Sequence, residues 1–412
     1  MVPVRVRVFA AAVCNFAPGI SLASVTALVL VLTSFGVASS AEAQTLPHLR
    51  TTFVPRLQPE PNPCSMFSCF DRASYDSTTL AAIGTLEPVV HVFRRISAGP
   101  WYKQATLTNR SALPPGYDRA GYGYPVAVVG DDIVVTARLS GPGVAELCET
   151  HVFGRTDTVW RVKQTIASCA DQFAKDGHRI LLSTGTALTI YARGSDGLFI
   201  RESHIEPPSP GLFEGEKSLA LHAWSVVVGK PDEDAGIGAV FVFQRSNDTW
   251  SLATTLRPNG SGAVRFGHAV GVYDYNIAVS APDAIPPSGN GTGLVYVYTG
   301  VKDQWSLSQR ISEGVTTEFP VGNTFGVALA LRGRRLVVST SSPFSDALGP
   351  PSYLYERGMR EPDWAVRATL AGSGLSIDLS GTTAMIDRRG QRGGTVPTVV
   401  NLPALREPDV AP

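Results

Sequence analysis

The sequence predicts an all-β fold: a seven-bladed β-propeller of four-stranded antiparallel blades, with the ring closed by a strand near the N-terminus. Three observations predict it. A short apolar run recurs seven times along the 412-residue chain. A β-branched and aromatic segment follows these runs, and a tryptophan then opens a polar-apolar segment. Glycine (40) and proline (30) are abundant, which suits many tight turns rather than long helices.

The clearest unit runs from Phe266 to Ile311. FGHAVGV alternates large with small or apolar residues, as an inner strand requires. IAVSA is apolar throughout, as a strand covered on both faces requires. LVYVY is β-branched and aromatic and has no helical period. VKDQ is a polar turn, and WSLSQRI forms the outer strand. One unit is therefore four strands in an antiparallel meander.

The apolar second strand starts at Leu80, Ile133, Ile180, Val226, Ile277, Leu336 and Ala384, at intervals of 53, 47, 46, 51, 59 and 48 residues. The third strand recurs from Val89, Glu149, Leu188, Val240, Val295 and Ser352. The tryptophan recurs as Trp101, Trp160, Trp250, Trp305 and Trp364, with Leu198-Phe199 standing in once. A tryptophan at one fixed repeat position reads as a packing wedge between blades. Trp224 is off this register and stands apart.

One blade cannot bury both of its faces, so blades must stack around an axis. The last unit has three strands and then the chain runs out. The segment TTFVPRLQP, from Thr51, resembles the outer strands ATTLRP and VRATLA and is expected to complete the seventh blade, which removes an open edge. Six blades with a separate end domain is the alternative count.

Residues 1–43 read as a secretory signal peptide. Arg5 and Arg7 precede an uncharged stretch from Val8 to Ala41, and small residues at Ala41 and Ala43 mark a cleavage site. A retained signal-anchor is the competing reading. Residues 44–402 then form the propeller, and 403–412 a disordered tail. The expected location is secreted, periplasmic or cell-surface, with no transmembrane span after cleavage.

Lysine plus arginine and aspartate plus glutamate both number 35, so the net charge is zero and no nucleic-acid partner is expected. Cys14 leaves with the signal. Cys64, Cys69, Cys148 and Cys169 remain, an even count that favours disulfides in an exported chain. Three pairings are possible; Cys64–Cys69 and Cys148–Cys169 each close a local loop and are preferred.

FGHAV with VSAPD (Phe266 to Asp283), FGVAL with VSTSS (Phe325 to Ser342), VVGKPD (Val227 to Asp232) and YGYPV with VVGDD (Tyr122 to Asp132) resemble FG-GAP repeats, the units of the integrin alpha-chain propeller and of many secreted bacterial proteins. The resemblance implies a seven-bladed propeller with an adhesive or scaffolding role. The family's calcium loops carry D-x-D-x-D-G, which gathers oxygens around a hard cation. The nearest counterpart is PDEDAGIG, where Asp232 and Asp234 keep the spacing and a third acid is absent. Calcium is possible there, and no other cofactor is expected.

The loops between second and third strands carry Asp232, Asp234, Asp283, Asn290 and Asp346, which places polar candidates for ligand binding on one face of the ring. Ordinary turn chemistry explains the same residues. The histidines occur singly, and no nucleophile elbow or metal-ligand spacing is present. The sequence thus points to a monomeric, non-enzymatic binding or scaffolding protein for a protein or glycan ligand. The alternative is a carbohydrate-active enzyme, which would need two carboxylates about 5–10 Å apart near the axis.

Overall fold

The computed structural model describes residues 51–53, 70–76, 78–84, 89–96, 101–108, 115–117, 119–209, 211–213, 218–259, 264–285, 292–301, 303–312, 324–341, 351–358, 363–370, 374–389 and 395–405. The signal reading over 1–43, most of the tail at 403–412, and Cys64, Cys69, Asn290 and Asp346 lie outside them.

Seven antiparallel four-stranded blades form a β-propeller. The inner strands are Phe70–Asp76, Arg119–Val129, Gln172–Asp176, Ser218–His222, Val270–Tyr273, Thr324–Arg332 and Gly374–Ser380. Each touches the next, and the seventh touches the first, so the ring is closed. We number the blades 1 to 7 in that order. Blade 7 takes its second and third strands from Thr383–Arg389 and Thr395–Asn401, and its fourth from Thr51–Phe53. That strand pairs antiparallel with the third, Thr51 opposite Val400 and Phe53 opposite Thr398. The expected closure is what the pairing shows.

The buried apolar residues do not form one central core. Among the described residues they form seven clusters, and each spans one interface between adjacent blades. The second strands explain why. In blade 4, Val226 and Val228 pack toward blade 3, whereas Val227 packs toward blade 5. In blade 5, Ile277 and Val279 face blade 4 and Ala278 faces blade 6. Side chains alternate across a strand, so a strand sandwiched between two neighbours must be apolar at every position.

The Phe-Gly dipeptides have a physical role. Phe266 is fully buried and meets the rings of Tyr296 and Tyr298 edge-on, with centroids at 5.2 and 6.4 Å. Phe325 repeats this against Tyr353 and Tyr355 at 6.2 and 6.4 Å. In blade 2 Tyr122 takes the same place, against Phe153 at 5.5 Å and His151 at 5.6 Å. Each such aromatic pair stabilises by about 0.5–1.5 kcal/mol beyond its buried area. Gly267 follows at φ +95°, and a Cβ there would stand 2.7 Å from the Ala239 carbonyl oxygen of blade 4. Only glycine lets the two blades approach so closely.

Four of the recurrent tryptophans, Trp101, Trp160, Trp250 and Trp364, are 3–9% exposed, as packing wedges should be. Phe199 holds the equivalent site in blade 3. A disulfide joins Cys148, in the third strand of blade 2, to Cys169 in the connection to blade 3, with Cα atoms 5.1 Å apart. No helix among the described residues is long and apolar enough to cross a membrane.

Candidate ligand-binding site

A meander of this kind sends its first-to-second and third-to-fourth turns to one face and its remaining connections to the other. The nominated acids that the structure describes, Asp232, Asp234 and Asp283, lie on the second face. Asp232 and Asp234 sit in the tight turn 232–236, and both are exposed. Asp234 is ion-paired with Arg257, while neighbouring Glu233 meets Lys230 at 3.3 Å. Asp283 is exposed on the next blade. Among the described residues no group of three or more His, Cys, Asp or Glu is gathered to hold a metal ion.

The first face carries a different constellation. In blades 4 and 5 the first two strands are joined by two-residue turns, Ala223-Trp224 and Asp274-Tyr275, whose first residues have φ of +48°. Each turn presents its second residue outward: Trp224 is 41% and Tyr275 51% exposed. Their rings lie 6.2 Å apart at 46°. At Tyr275 opens a groove of about 760 Å³ lined by Tyr275, Asn276, Thr299, Gly300, Asp303, Gln304, Trp305, Ser306 and Arg357.

Strand register explains why the groove lies at blade 5. At the end of the third strand an arginine stands opposite the tryptophan position: Arg155 opposite Trp160, Arg193 opposite Phe199, Arg245 opposite Trp250 and Arg357 opposite Trp364. Arg193 lies over the Phe199 ring at 5.0 Å, and in blade 1 Arg95 lies over Trp101 at 5.0 Å. In blade 5 the residue opposite Trp305 is Gly300. Trp305 is only partly buried, whereas Trp101, Trp160, Trp250 and Trp364 are buried. A Cβ on Gly300 would stand 2.0 Å from the Gln304 carbonyl oxygen, so the backbone itself enforces the gap. The Gly300 N–H donates to the Tyr275 carbonyl at 3.0 Å and fixes that turn. Arg357 of blade 6 reaches in and donates from Nη1 to Asn276 Oδ1 at 2.7 Å.

The channel mouth on this same face is polar and internally matched. His222 Nδ1 lies 3.3 Å from Asp176 Oδ1 of blade 3, and Nε2 lies 3.0 Å from Asp274 Oδ1 of blade 5. The imidazole stacks on Tyr273 at 4.0 Å and 19°. Burial opposes its charging, but the hydrogen bonds to Asp176 and Asp274 prevail and raise its pKa above the ordinary value. Burial likewise opposes ionisation of Asp176, but His222 and the Ala223 N–H, at 2.6 Å, hold its carboxyl below the usual range.

Inside that mouth Lys175 spans from blade 3 to blades 1 and 7. Its Nζ reaches the Tyr75 carbonyl at 2.8 Å, Asp378 Oδ2 at 3.1 Å and Ser74 Oγ at 3.2 Å. Asp378 also accepts from Ser74 Oγ and the Tyr75 N–H, both at 2.9 Å. Asp76 accepts from Ser380 Oγ at 2.9 Å and from the Gly130 N–H at 3.1 Å. The inner-strand acids Asp76, Asp176 and Asp378 thus each hold donors from a neighbouring blade.

Of the sequence candidates, Trp224 alone belongs to this constellation. Tyr275, Gly300, Arg357 and the His222 cluster were not singled out. The signal for Gly300 was present in the repeat, as the glycine where blades 2, 3, 4 and 6 carry arginine. No protein-family model matches the chain, and no curated protein matches it. Among solved structures, Hsv2 of Kluyveromyces lactis is similar with a TM-score of 0.43 and 11% identity, covering 78% of this chain and 89% of that one. Hsv2 of Kluyveromyces marxianus is similar with a TM-score of 0.44 and 9% identity, with the same coverage. The propeller assignment rests on the strand pairing itself.

Proposed function

We propose that this protein is an exported, non-enzymatic binding propeller of FG-GAP type that engages a protein or glycan through the face bearing Trp224 and Tyr275. The observation that carries the reading is the pair of exposed rings beside an open groove. Two large aromatic side chains exposed side by side form a contiguous apolar patch, and such patches concentrate at recognition surfaces. The donors holding Asp76, Asp176 and Asp378 favour a structural use of the channel acids over hydrolysis. Export is supported by the charge and small-residue pattern of 1–43 and by the Cys148–Cys169 disulfide. The chain acts as a monomer and without a metal cofactor. The test is binding of the mature protein to a glycan array and to immobilised extracellular proteins of its source. The double variant Trp224→Ala/Tyr275→Ala is expected to lose that binding and to keep its melting temperature. Undiminished binding by the variant would move the interface to another surface.

A further inference from the structure

We infer that His222 is a positioning residue of the binding face: by bridging Asp176 of blade 3 and Asp274 of blade 5, its imidazolium holds the Trp224 and Tyr275 turns at one spacing, and ligand binding weakens when the ring loses its proton. The inference rests on the binding-face reading above and names the regulation of that site.

The two exposed rings stand on turns of different blades, and each turn is anchored separately. The Ala223 carbonyl accepts from Arg179 Nη1 at 3.1 Å, and the Trp224 carbonyl from the Arg245 N–H at 2.9 Å. The Tyr275 carbonyl accepts from the Gly300 N–H at 3.0 Å. His222 directly precedes the first turn, and Asp274 is the first residue of the second. Their contact, Nε2 to Oδ1 at 3.0 Å, is the polar side-chain link that joins the two turns directly among the described residues. The other ring nitrogen, Nδ1, meets Asp176 Oδ1 at 3.3 Å, and the ring stacks on Tyr273. One imidazole thus ties three blades beneath two rings that lie 6.2 Å apart.

Both ring nitrogens face carboxylates, and this makes the tie depend on protonation. The imidazolium donates to both acids. A neutral imidazole has one N–H, so it donates to one acid and turns a lone pair toward the other. Whichever nitrogen keeps the proton, one tie is lost and two carboxylates remain across an uncharged ring. From blade 3 the ring faces Asp176, beside which stands Arg179, itself paired with Glu202. From blade 5 it faces Asp274 and Tyr273. Its partner in the second strand of blade 4 is the uncharged Ser225. Lys175, next to Asp176 in the chain, is committed to Asp378. Burial opposes the charge on His222, but the hydrogen bonds to both acids prevail, so the bridged state extends above the range of an ordinary histidine.

The experiment is fluorine NMR of the mature protein labelled with fluorotryptophan, from about pH 5 to about pH 9. The Trp224 resonance is the one missing from Trp224→Phe. It is expected to shift with an inflection that coincides with the titration of the His222 Cε1–H. In His222→Gln the inflection should vanish. In Asp274→Asn, which keeps an acceptor and suits a φ of +48°, it should move to lower pH, because a charge that favours the imidazolium is gone. His178→Gln, at an exposed position in the neighbouring turn of blade 3, should leave it in place. Binding to those array glycans or immobilised proteins that the wild type recognises should be at least about threefold weaker at pH 9 than at pH 6, and His222→Gln should lack the difference, since an unbridged face must be ordered on binding. A Trp224 resonance that ignores His222, an inflection that survives His222→Gln or stays put in Asp274→Asn, or the same pH dependence of binding in wild type and His222→Gln would overturn the inference. If the Trp224 resonance is flat yet Trp224→Ala/Tyr275→Ala abolishes binding, the role of His222 falls and the binding face stands. If the wild type binds nothing, or the double variant binds as the wild type does, both fall.

Discussion

Gln309, in the outer strand of blade 5, holds both backbone groups of Trp364 in blade 6: its Oε1 accepts from the Trp364 N–H at 2.7 Å, and its Nε2 donates to the Trp364 carbonyl at 3.0 Å. Gln164 does the same to Phe199 between blades 2 and 3, at 2.8 and 2.7 Å. The two glutamines occupy equivalent register positions, opposite Val152 and Val297. An amide is the side chain that can satisfy a donor and an acceptor at once. These clasps fix the tryptophan-position strand of one blade against the outer strand of its neighbour.

Gln309→Ala should destabilise the propeller by about 1–3 kcal/mol, because it leaves the Trp364 N–H and C=O without their partner. Gln309→Glu should fall between, since a carboxylate keeps the acceptor and loses the donor. Denaturant melts of the single variants check both. Equal stability of Gln309→Ala and wild type would show that water replaces the clasp at no cost.

The histidines predict opposite pH dependences. His222 has a raised pKa in the fold, so its contribution is full below about 6.5, the unfolded value, and is lost as pH rises through the folded value. Asp176 has a lowered pKa, so its contribution is full above the unfolded value of 3.8 and is lost as pH falls through the folded one. The pair therefore stabilises most between these limits. His91 has its pKa lowered to about 4 by burial and by Lys103, so its contribution is present above 6.5 and declines as pH falls toward 4. Melting temperature against pH should show His222→Gln flattening the alkaline limb and His91→Gln flattening the acid limb. The same response in both variants would contradict these assignments.

The closing strand of blade 7 should be essential. A chain starting after Phe53 loses the strand paired with Thr395–Asn401 and exposes that edge. It is expected to melt lower and to aggregate, as read by calorimetry and size-exclusion chromatography. A chain starting just before Thr51 should behave as the mature protein does. Identical behaviour of the two truncations would mean that the ring does not need its clasp.

Thiol labelling without reductant should leave Cys148 and Cys169 unmodified. Replacing both by serine should cost about 3 kcal/mol, from the loop of about 20 residues that the bond closes. Intact mass and peptide mapping decide the first point, and denaturant titration the second.

Asp232→Asn/Asp234→Asn should change stability by no more than about 1 kcal/mol, since the Asp234–Arg257 pair is exposed on both sides. Calcium or a chelator should leave the wild-type melting temperature unchanged. A calcium-dependent rise that the double variant lacks would restore the loop as a metal site.

Much of the architecture was legible along the chain. The unbroken apolar runs at Val226–Val228 and Ile277–Val279 announce strands buried on both faces, because alternate residues must satisfy two neighbouring blades. Four of the five recurring tryptophans, the Cys148–Cys169 loop and the orphan strand at Thr51 are local or repeated signals that keep their meaning in the fold, whereas Trp305 is only partly buried and lines the groove. The binding constellation was not legible in the same way. The acids that stood out, Asp232, Asp234 and Asp283, belong to the opposite face from the exposed rings.

What the amino-acid order determined by itself is the repeat, the strand sequence within each blade and the need to close the ring, since these follow from side-chain periodicity and from apolar surface that one blade cannot hide. Only the tertiary structure decided which side chains meet. Tyr275, Trp305 and Arg357 line one groove, and Asp176, His222 and Asp274 meet at one mouth, because the ring sets residues some 50 positions apart side by side. Such convergence depends on register and on the angle between blades, which no local pattern encodes.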